Sequence, residues 1–208
     1  KDAAHLLGTL IGQSGRQLVY GGGRVGLMGI VADAAIAAGG PVVGIIPEHI
    51  QVLEVEHTGL TELLVVDSMH TRKRLMVDRS DAFVILPGGL GTLDETFEIL
   101  TWKQLRLHDK PVVVANIDGY WDPFEALLDH MIAQGFAQPA HRKLFSVVTP
   151  DNVAKFYTAH DGEFLFSVPL PIRLTHRPAG GQILYRGEDI SSVPAHDIVG
   201  LGLAHSPE

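Results

Sequence analysis

The chain has 208 residues, 46% of them hydrophobic, and carries a formal net charge of −8 with a pI near 5.7. That length buries one sizeable core in a single domain. The acidic balance attracts neither nucleic acid nor an anionic membrane, which leaves a small molecule as the expected partner. There is no cysteine, so disulfides, thiolate nucleophiles and cysteine-ligated zinc are excluded, and a reducing, cytoplasmic setting fits.

In chain order, Lys1 to Gln13 predicts a helix with Ala3, Leu6, Leu7, Leu10 and Ile11 on one face. Gln17 to Tyr20 predicts a short strand, running directly into Gly21-Gly22-Gly23-Arg24-Val25-Gly26 and an alanine-rich helix that stops at Gly39-Gly40. The uncharged stretch Ala34 to Pro47 is too short and too broken by Gly39, Gly40 and Pro41 to span a bilayer. Strands are expected at Val42 to Ile46, Leu63 to Val66, Ala82 to Leu86 and Val112 to Ala115. Helices are expected from Ser68, over Thr92 to Leu105, over Pro123 to Gln134 and over Pro150 to Thr158. Continuously apolar strands alternating with helices predict a parallel sheet covered on both faces, an α/β, doubly wound, Rossmann-like fold.

From Gly162 onward, Pro169, Pro171, Pro178, Gly180, Gly181, Gly187 and Pro194 interrupt every run. Residues 1–160 are therefore read as one domain and residues 161–208 as an irregular extension, with short strands at Glu163 to Val168 and Gln182 to Tyr185.

The stretch with the most chemistry is Leu86-Pro87-Gly88-Gly89-Leu90-Gly91-Thr92-Leu93-Asp94-Glu95, a strand end, a glycine turn and a helix start. Glycines leave the backbone N–H groups uncovered, and the helix adds unpaired donors and the positive end of its dipole, which together favour a phosphate. Glu95 then sits close to that phosphate. Its structural alternative is the capping box, in which Thr92 is the N-cap and Glu95 the third helical residue. The first loop, Gly21-x-Gly23-x-x-Gly26 with Glu48 past the next strand, also matches a dinucleotide fingerprint. A nicotinamide-dependent oxidoreductase and a non-catalytic nucleotide-binding module are therefore open readings of these loops.

A third cluster is Ser68-Met69-His70-Thr71-Arg72-Lys73-Arg74. Asp67 or Ser68 is the natural N-cap, yet three cations crowd the early turns, where they oppose the helix dipole. Arg72 and Lys73 point to an anion in the site, whereas Arg74 pairs more simply with Asp78. The eleven histidines show no metal-binding spacing, and no Gly-x-Ser-x-Gly elbow exists.

The phrase Pro-Gly-Gly-x-Gly-Thr-x-x-Glu resembles the signature of the LONELY GUY family, the cytokinin riboside 5′-monophosphate phosphoribohydrolases, often labelled lysine decarboxylases. Ser68-Met69-His70-x-Arg72-Lys73, Tyr20 to Gly29, Leu100-Thr101-Trp102 and His108-Asp109-Lys110-Pro111 fit the same pattern, and the similarity runs from about Ala3 to Thr158. The resemblance implies that Arg72 and Glu95 are the catalytic pair and that Gly88, Gly89, Gly91 and Thr92 cradle a 5′-phosphate. It further implies substrate contacts from Lys73, Thr101 and Glu54, and from Met69, Asp94, Gly22 and Gly23 of the same motifs.

The expected reaction cleaves the N-glycosidic bond of an N6-substituted adenosine 5′-monophosphate, with no metal or organic cofactor; plain AMP is the alternative substrate. The family also implies a homodimer, for which the apolar faces of Met69 to Val77 and Phe97 to Leu105 are candidates, with core packing as the default for both. No lysine is marked out for the pyridoxal chemistry that a decarboxylase needs. Family members begin with a strand and a Gly-Ser loop ahead of the first helix, whereas this sequence starts inside that helix. The expectation is either a truncated start or a substitute strand in the central slot, with Glu163 to Val168 as the candidate.

Overall fold

The structure is a computed structural model that describes residues 1–51, 57 and 59–149, and the backbone of residues 172–173, 184–185 and 188–189. The expected helix at Pro150 to Thr158 and the expected strand at Glu163 to Val168 lie outside the described residues. The chain divides into two units, Lys1–Thr175 and His176–Glu208.

In the first unit, the elements are α1 (Asp2–Gln13), β1 (Gln17–Tyr20), α2 (Gly26–Ala37), β2 (Val42–Pro47) and the short α3 (Glu48–Gln51). Next come β3 (Glu62–Val66), α4 (Met69–Asp78), β4 (Phe83–Ile85), α5 (Leu90–Gln104), β5 (Val112–Ala115), α6 (Asp122–Ala133), a 3₁₀ turn (Pro139–Lys143), β6 (Ser146–Val148) and β7 (Ile172–Arg173). In the second unit, β8 (Leu184–Tyr185) and β9 (Glu188–Asp189) pair antiparallel, which puts a strand inside the expected Gln182 to Tyr185 stretch.

Strands β3, β2 and β1 are parallel neighbours, as are β4, β5 and β6. The free edge of β1 is taken by β7, which runs antiparallel with Leu18 opposite Ile172. One apolar cluster joins the two sets of strands, with Leu18, Tyr20 and Val42 from one and Val84, Leu86, Val113 and Ala115 from the other. Burying each such side chain contributes about 1.5–3 kcal/mol, and with helices against the strands on both faces the fold is the α/β, Rossmann-like class that the sequence predicts.

Two glycines set how closely the helices approach. A Cβ added at Gly8 would lie 2.2 Å from the Val31 carbonyl oxygen, and one at Gly12 would lie 2.5 Å from that of Ala35. Glycine at both positions is thus the condition for α1 to seat directly on the backbone of α2.

A second cluster, around Phe83, Ile85, Val112, Val114, Trp121, Phe124 and Phe145, covers the other face of β4 and β5. Met76 and Val77 of α4 are buried in the core, as the core-packing alternative for the Met69 to Val77 face had it. Among the described residues no helix is long and apolar enough to cross a membrane.

Candidate functional site

Three loops meet beyond the carboxyl ends of parallel strands, where open α/β sheets gather ligands. Tyr20 of β1 leads into Gly21, Val66 of β3 leads into the α4 N-terminus, and Ile85 of β4 leads into the glycine turn. They enclose a crevice of about 320 Å³ lined by Val25, Leu27, Met28, Met69, Arg72, Leu86, Pro87, Gly88, Gly89, Gly91, Thr92 and Glu95.

Seven of the sequence-predicted residues, Met69, Arg72, Gly88, Gly89, Gly91, Thr92 and Glu95, thus share one surface. The apolar wall of Val25, Leu27 and Met28 was not foreseen. Its signal was that these residues lie in or just after the first glycine loop, within the Tyr20 to Gly29 motif.

Helix α5 starts at Leu90 with Gly89 as its N-cap. Thr92 is therefore the third helical residue and Glu95 lies a turn deeper, which overturns the capping-box reading. The reason is local. Gly89 is extended, and its carbonyl accepts the first helical bond from the Leu93 N–H, so the glycine turn ends before Thr92 is reached. The Thr92 side chain instead folds back over Gly88, where an added Cβ would meet its Oγ1 at 2.0 Å.

Arg72 reaches the crevice because Ser68 caps α4: the Ser68 hydroxyl accepts the Thr71 N–H at 3.1 Å and fixes the first turn. The guanidinium lies over Gly21, with Nη2 only 2.1 Å from where a Cβ would stand, so a side chain at position 21 would displace the guanidinium. Its Nη2 is 3.7 Å from Glu95 Oε1, and among the described residues its Nη1 meets only the Met69 thioether, at 3.7 Å. Nε is buried with no hydrogen-bond partner among the described residues. A buried guanidinium with one long ion pair, one weak acceptor and an orphaned donor is incomplete.

The Glu95 side chain is only 12% exposed. Burial pushes its pKa up to about 7, partly offset by the Arg72 and Lys73 charges and reinforced by Asp94 and Glu98. A carboxyl poised near neutrality beside an always-charged arginine suits proton transfer or the stabilisation of a developing cation.

Lys73 lies outside the glycine-lined crevice. Its ammonium bridges Asp94 at 2.7 Å and Glu98 at 3.2 Å. Burial opposes its charge, but these two carboxylates outweigh that and raise its pKa. The anions expected around the cations of α4 are thus partly supplied by α5, and Lys73 and Asp94, both predicted to touch substrate, touch each other. Arg74 pairs with Asp78 at 3.7 Å, as its sequence alternative had it.

Thr101 sits two turns beyond Glu95 and lines a different, apolar groove of about 220 Å³ with Phe97, Leu100, Phe124, Met131 and Phe136. Glu54 lies outside the described residues. Gly22 and Gly23 are buried beneath the crevice and do not line it; Gly22 has a φ of +79° and packs against Ile46.

Gly22 of the first glycine loop therefore serves close packing, while Val25 of the same loop lines the crevice. Arg24 of this loop pairs with Asp33 of α2, and Glu48 opens α3. His108-Asp109-Lys110-Pro111 is a brace. Lys110 Nζ donates to the Val77 carbonyl at the end of α4, while the His108 ring meets the Ile99 carbonyl of α5 and accepts the Lys110 N–H. Burial lowers the pKa of both side chains. Among the described residues no group of three metal-ligating side chains forms.

An open parallel sheet with an anion cradle and a buried Arg–Glu pair at its carboxyl edge defines a Rossmann-like protein with a site for an anionic small molecule. A family described as "Possible lysine decarboxylase" matches residues 28–156, more than half of the chain. Cytokinin riboside 5′-monophosphate phosphoribohydrolase of Rhodococcoides fascians is 51% identical over 65% of this chain and 69% of its own. Two rice proteins named as probable enzymes of that kind are 46% and 49% identical, over 69% and 73% of this chain, and the chain spans 64% and 66% of their length.

The chain belongs to this family, in which the cytokinin riboside 5′-monophosphate phosphoribohydrolases fall. A molybdenum cofactor binding protein from Rippkaea orientalis shares the fold, with TM-score 0.54 and 23% identity over 76% of this chain and 85% of its own. At that identity the likeness concerns the fold alone.

Proposed function

We propose that this protein hydrolyses the N-glycosidic bond of cytokinin-type N6-substituted adenosine 5′-monophosphates, giving the free base and ribose 5-phosphate. The observation that carries the reading is the incomplete buried Arg72, held against Glu95 at the mouth of the glycine turn. A phosphate ester supplies the anion that Arg72 lacks, and the uncovered amides from Gly89 to Thr92 complete its shell. The printed names of the relatives support the same substrate class.

In this reading the ribose rests over Glu95 and the base lies along Val25, Leu27 and Met28. As the C1′–N9 bond breaks, its electron pair leaves with the base and positive charge grows on the ribose carbon. Ionised Glu95 stabilises that charge and orients a water molecule toward C1′. The water oxygen bonds to C1′ and its proton ends on the departing base, so the step balances without a redox partner. Arg72 holds the phosphate and the carboxylate together, which the single point charge of a lysine does not reproduce.

Lys73 and Asp94 serve by holding Glu95 and its neighbours in place. Thr101 and the exposed Phe97, Leu105 and Phe136 form the face for a second copy of the chain, in keeping with the implied homodimer. The net charge of −8 supports an enzyme without nucleic-acid or membrane partners, and the absence of cysteine fits a cytoplasmic setting.

The test is to mix the protein with isopentenyladenosine 5′-monophosphate, AMP and the unphosphorylated riboside, and to follow the released base by chromatography. Release from the N6-substituted monophosphate at well above the AMP rate, with the riboside inert, is expected. Equal turnover of AMP would make the protein a general nucleotide N-glycosidase. Binding without base release would remove the enzymatic reading.

A further inference from the structure

The loop between β5 and α6 is tied down along its length. Asn116 Nδ2 donates to Asp122 at 2.6 Å, and its Oδ1 accepts the Trp121 N–H at 2.8 Å. Asp118 and Gly119 take left-handed conformations, with φ of 53° and 75°. This turn presents Tyr120, whose ring stands edge-on to the buried Trp121 with centroids 5.0 Å apart. The Tyr120 side chain is half exposed and leaves the crevice lining to others, yet its hydroxyl donates to the Gly88 carbonyl at 2.7 Å.

That bond falls on the peptide that joins the two adjacent glycines of the turn. Neither Gly88 nor Gly89 has a Cβ, so the peptide plane between them flips at little steric cost. A trans peptide holds its C=O and the following N–H on opposite sides. With the Gly88 carbonyl turned to Tyr120, the Gly89 N–H is directed to the opposite side, away from Tyr120. The flipped peptide would instead offer the carbonyl oxygen to an incoming anion and repel it.

We infer that Tyr120 is a positioning residue that locks the Gly88–Gly89 peptide in its anion-accepting orientation, so that the phosphate, and not the base or ribose, is what it makes the site recognise. The inference rests on the proposed nucleotide site, but its first readout does not depend on catalysis. Losing one hydrogen bond of this kind changes an affinity about three- to tenfold.

The experiment compares wild type with Tyr120→Phe, which keeps the ring on Trp121 and removes only the hydroxyl. Calorimetry gives the affinities for inorganic phosphate and ribose 5-phosphate, kinetics give kcat and KM for the monophosphate, and thermal melting reports the fold. The expected result is three- to tenfold weaker binding of both phosphates and a matching rise in KM. The kcat stays within about twofold, affinity for the free base is unchanged, and the melting temperature is near that of wild type.

If wild type releases base and the variant binds phosphate equally well, this inference fails while the proposed function stands. If wild type binds ribose 5-phosphate without turnover and the variant binds it more weakly, the function fails and the inference stands. Absence of phosphate binding by wild type overturns both. Tyr120→Leu, which also removes the ring, is expected to melt lower; a loss of phosphate affinity in that variant alone would reduce Tyr120 to a packing role.

Discussion

Replacing Glu95 by Gln removes one titrating group from the buried pair and leaves its size nearly unchanged. In the folded protein the Glu95 pKa is about 7, against 4.5 when unperturbed. Because the folded value is the higher, the native state binds the proton more tightly than the unfolded chain does. The stability from that proton is complete below about pH 4.5 and is lost as the pH rises through 7.

At about 1.36 kcal/mol per pH unit of displacement, wild type should lose about 2–3 kcal/mol relative to Glu95→Gln between pH 5 and pH 8. The variant also deprives Arg72 of its partner, but that cost does not titrate and cancels from the difference. Urea denaturation of both proteins at the two pH values measures the gap. A gap constant to within about 0.5 kcal/mol would refute the claim that burial holds this carboxyl near neutrality.

Two further outcomes follow from the same geometry. Lys73→Met removes a cation that favours ionised Glu95 and frees Asp94 and Glu98, which oppose it, so the acidic limb of the kcat/KM profile should move to higher pH. An unmoved limb would separate Lys73 from Glu95. Gly12→Val drives a side chain into the Ala35 carbonyl, and the overpacking should cost about 3 kcal/mol in denaturant unfolding. A variant as stable as wild type would show that α1 is not seated on α2 as described.

The sequence reading succeeded where the physics is local and failed where the chain returns from far away. The strands Gln17–Tyr20 and Val112–Ala115 were legible to the residue, because continuously apolar runs ended by glycine or polar turns leave little choice. Ser68 as the α4 cap and the Arg74–Asp78 pair are likewise short-range.

The start of α5 was misread because Thr-x-x-Glu is itself a good capping signal; only the extended Gly89 reveals that the helix has already begun. Lys73 carries a charge that looks free along its own helix, and its partners come from α5. The contact between Tyr120 and Gly88 spans 32 positions, and the seat of α1 on α2 depends on where backbone oxygens fall in space. No pattern of residue types encodes either.

The central claim is that Glu95, ionised beside Arg72, stabilises the transition state. Single-turnover base release from isopentenyladenosine 5′-monophosphate, measured for wild type and Glu95→Gln from pH 5.5 to 9, tests it most directly. The account predicts a wild-type rate that climbs with a midpoint near pH 7 to a plateau, and a variant that is pH-independent and slower by about 10² or more, with substrate affinity within about tenfold. A variant rate comparable to wild type on the plateau would contradict it.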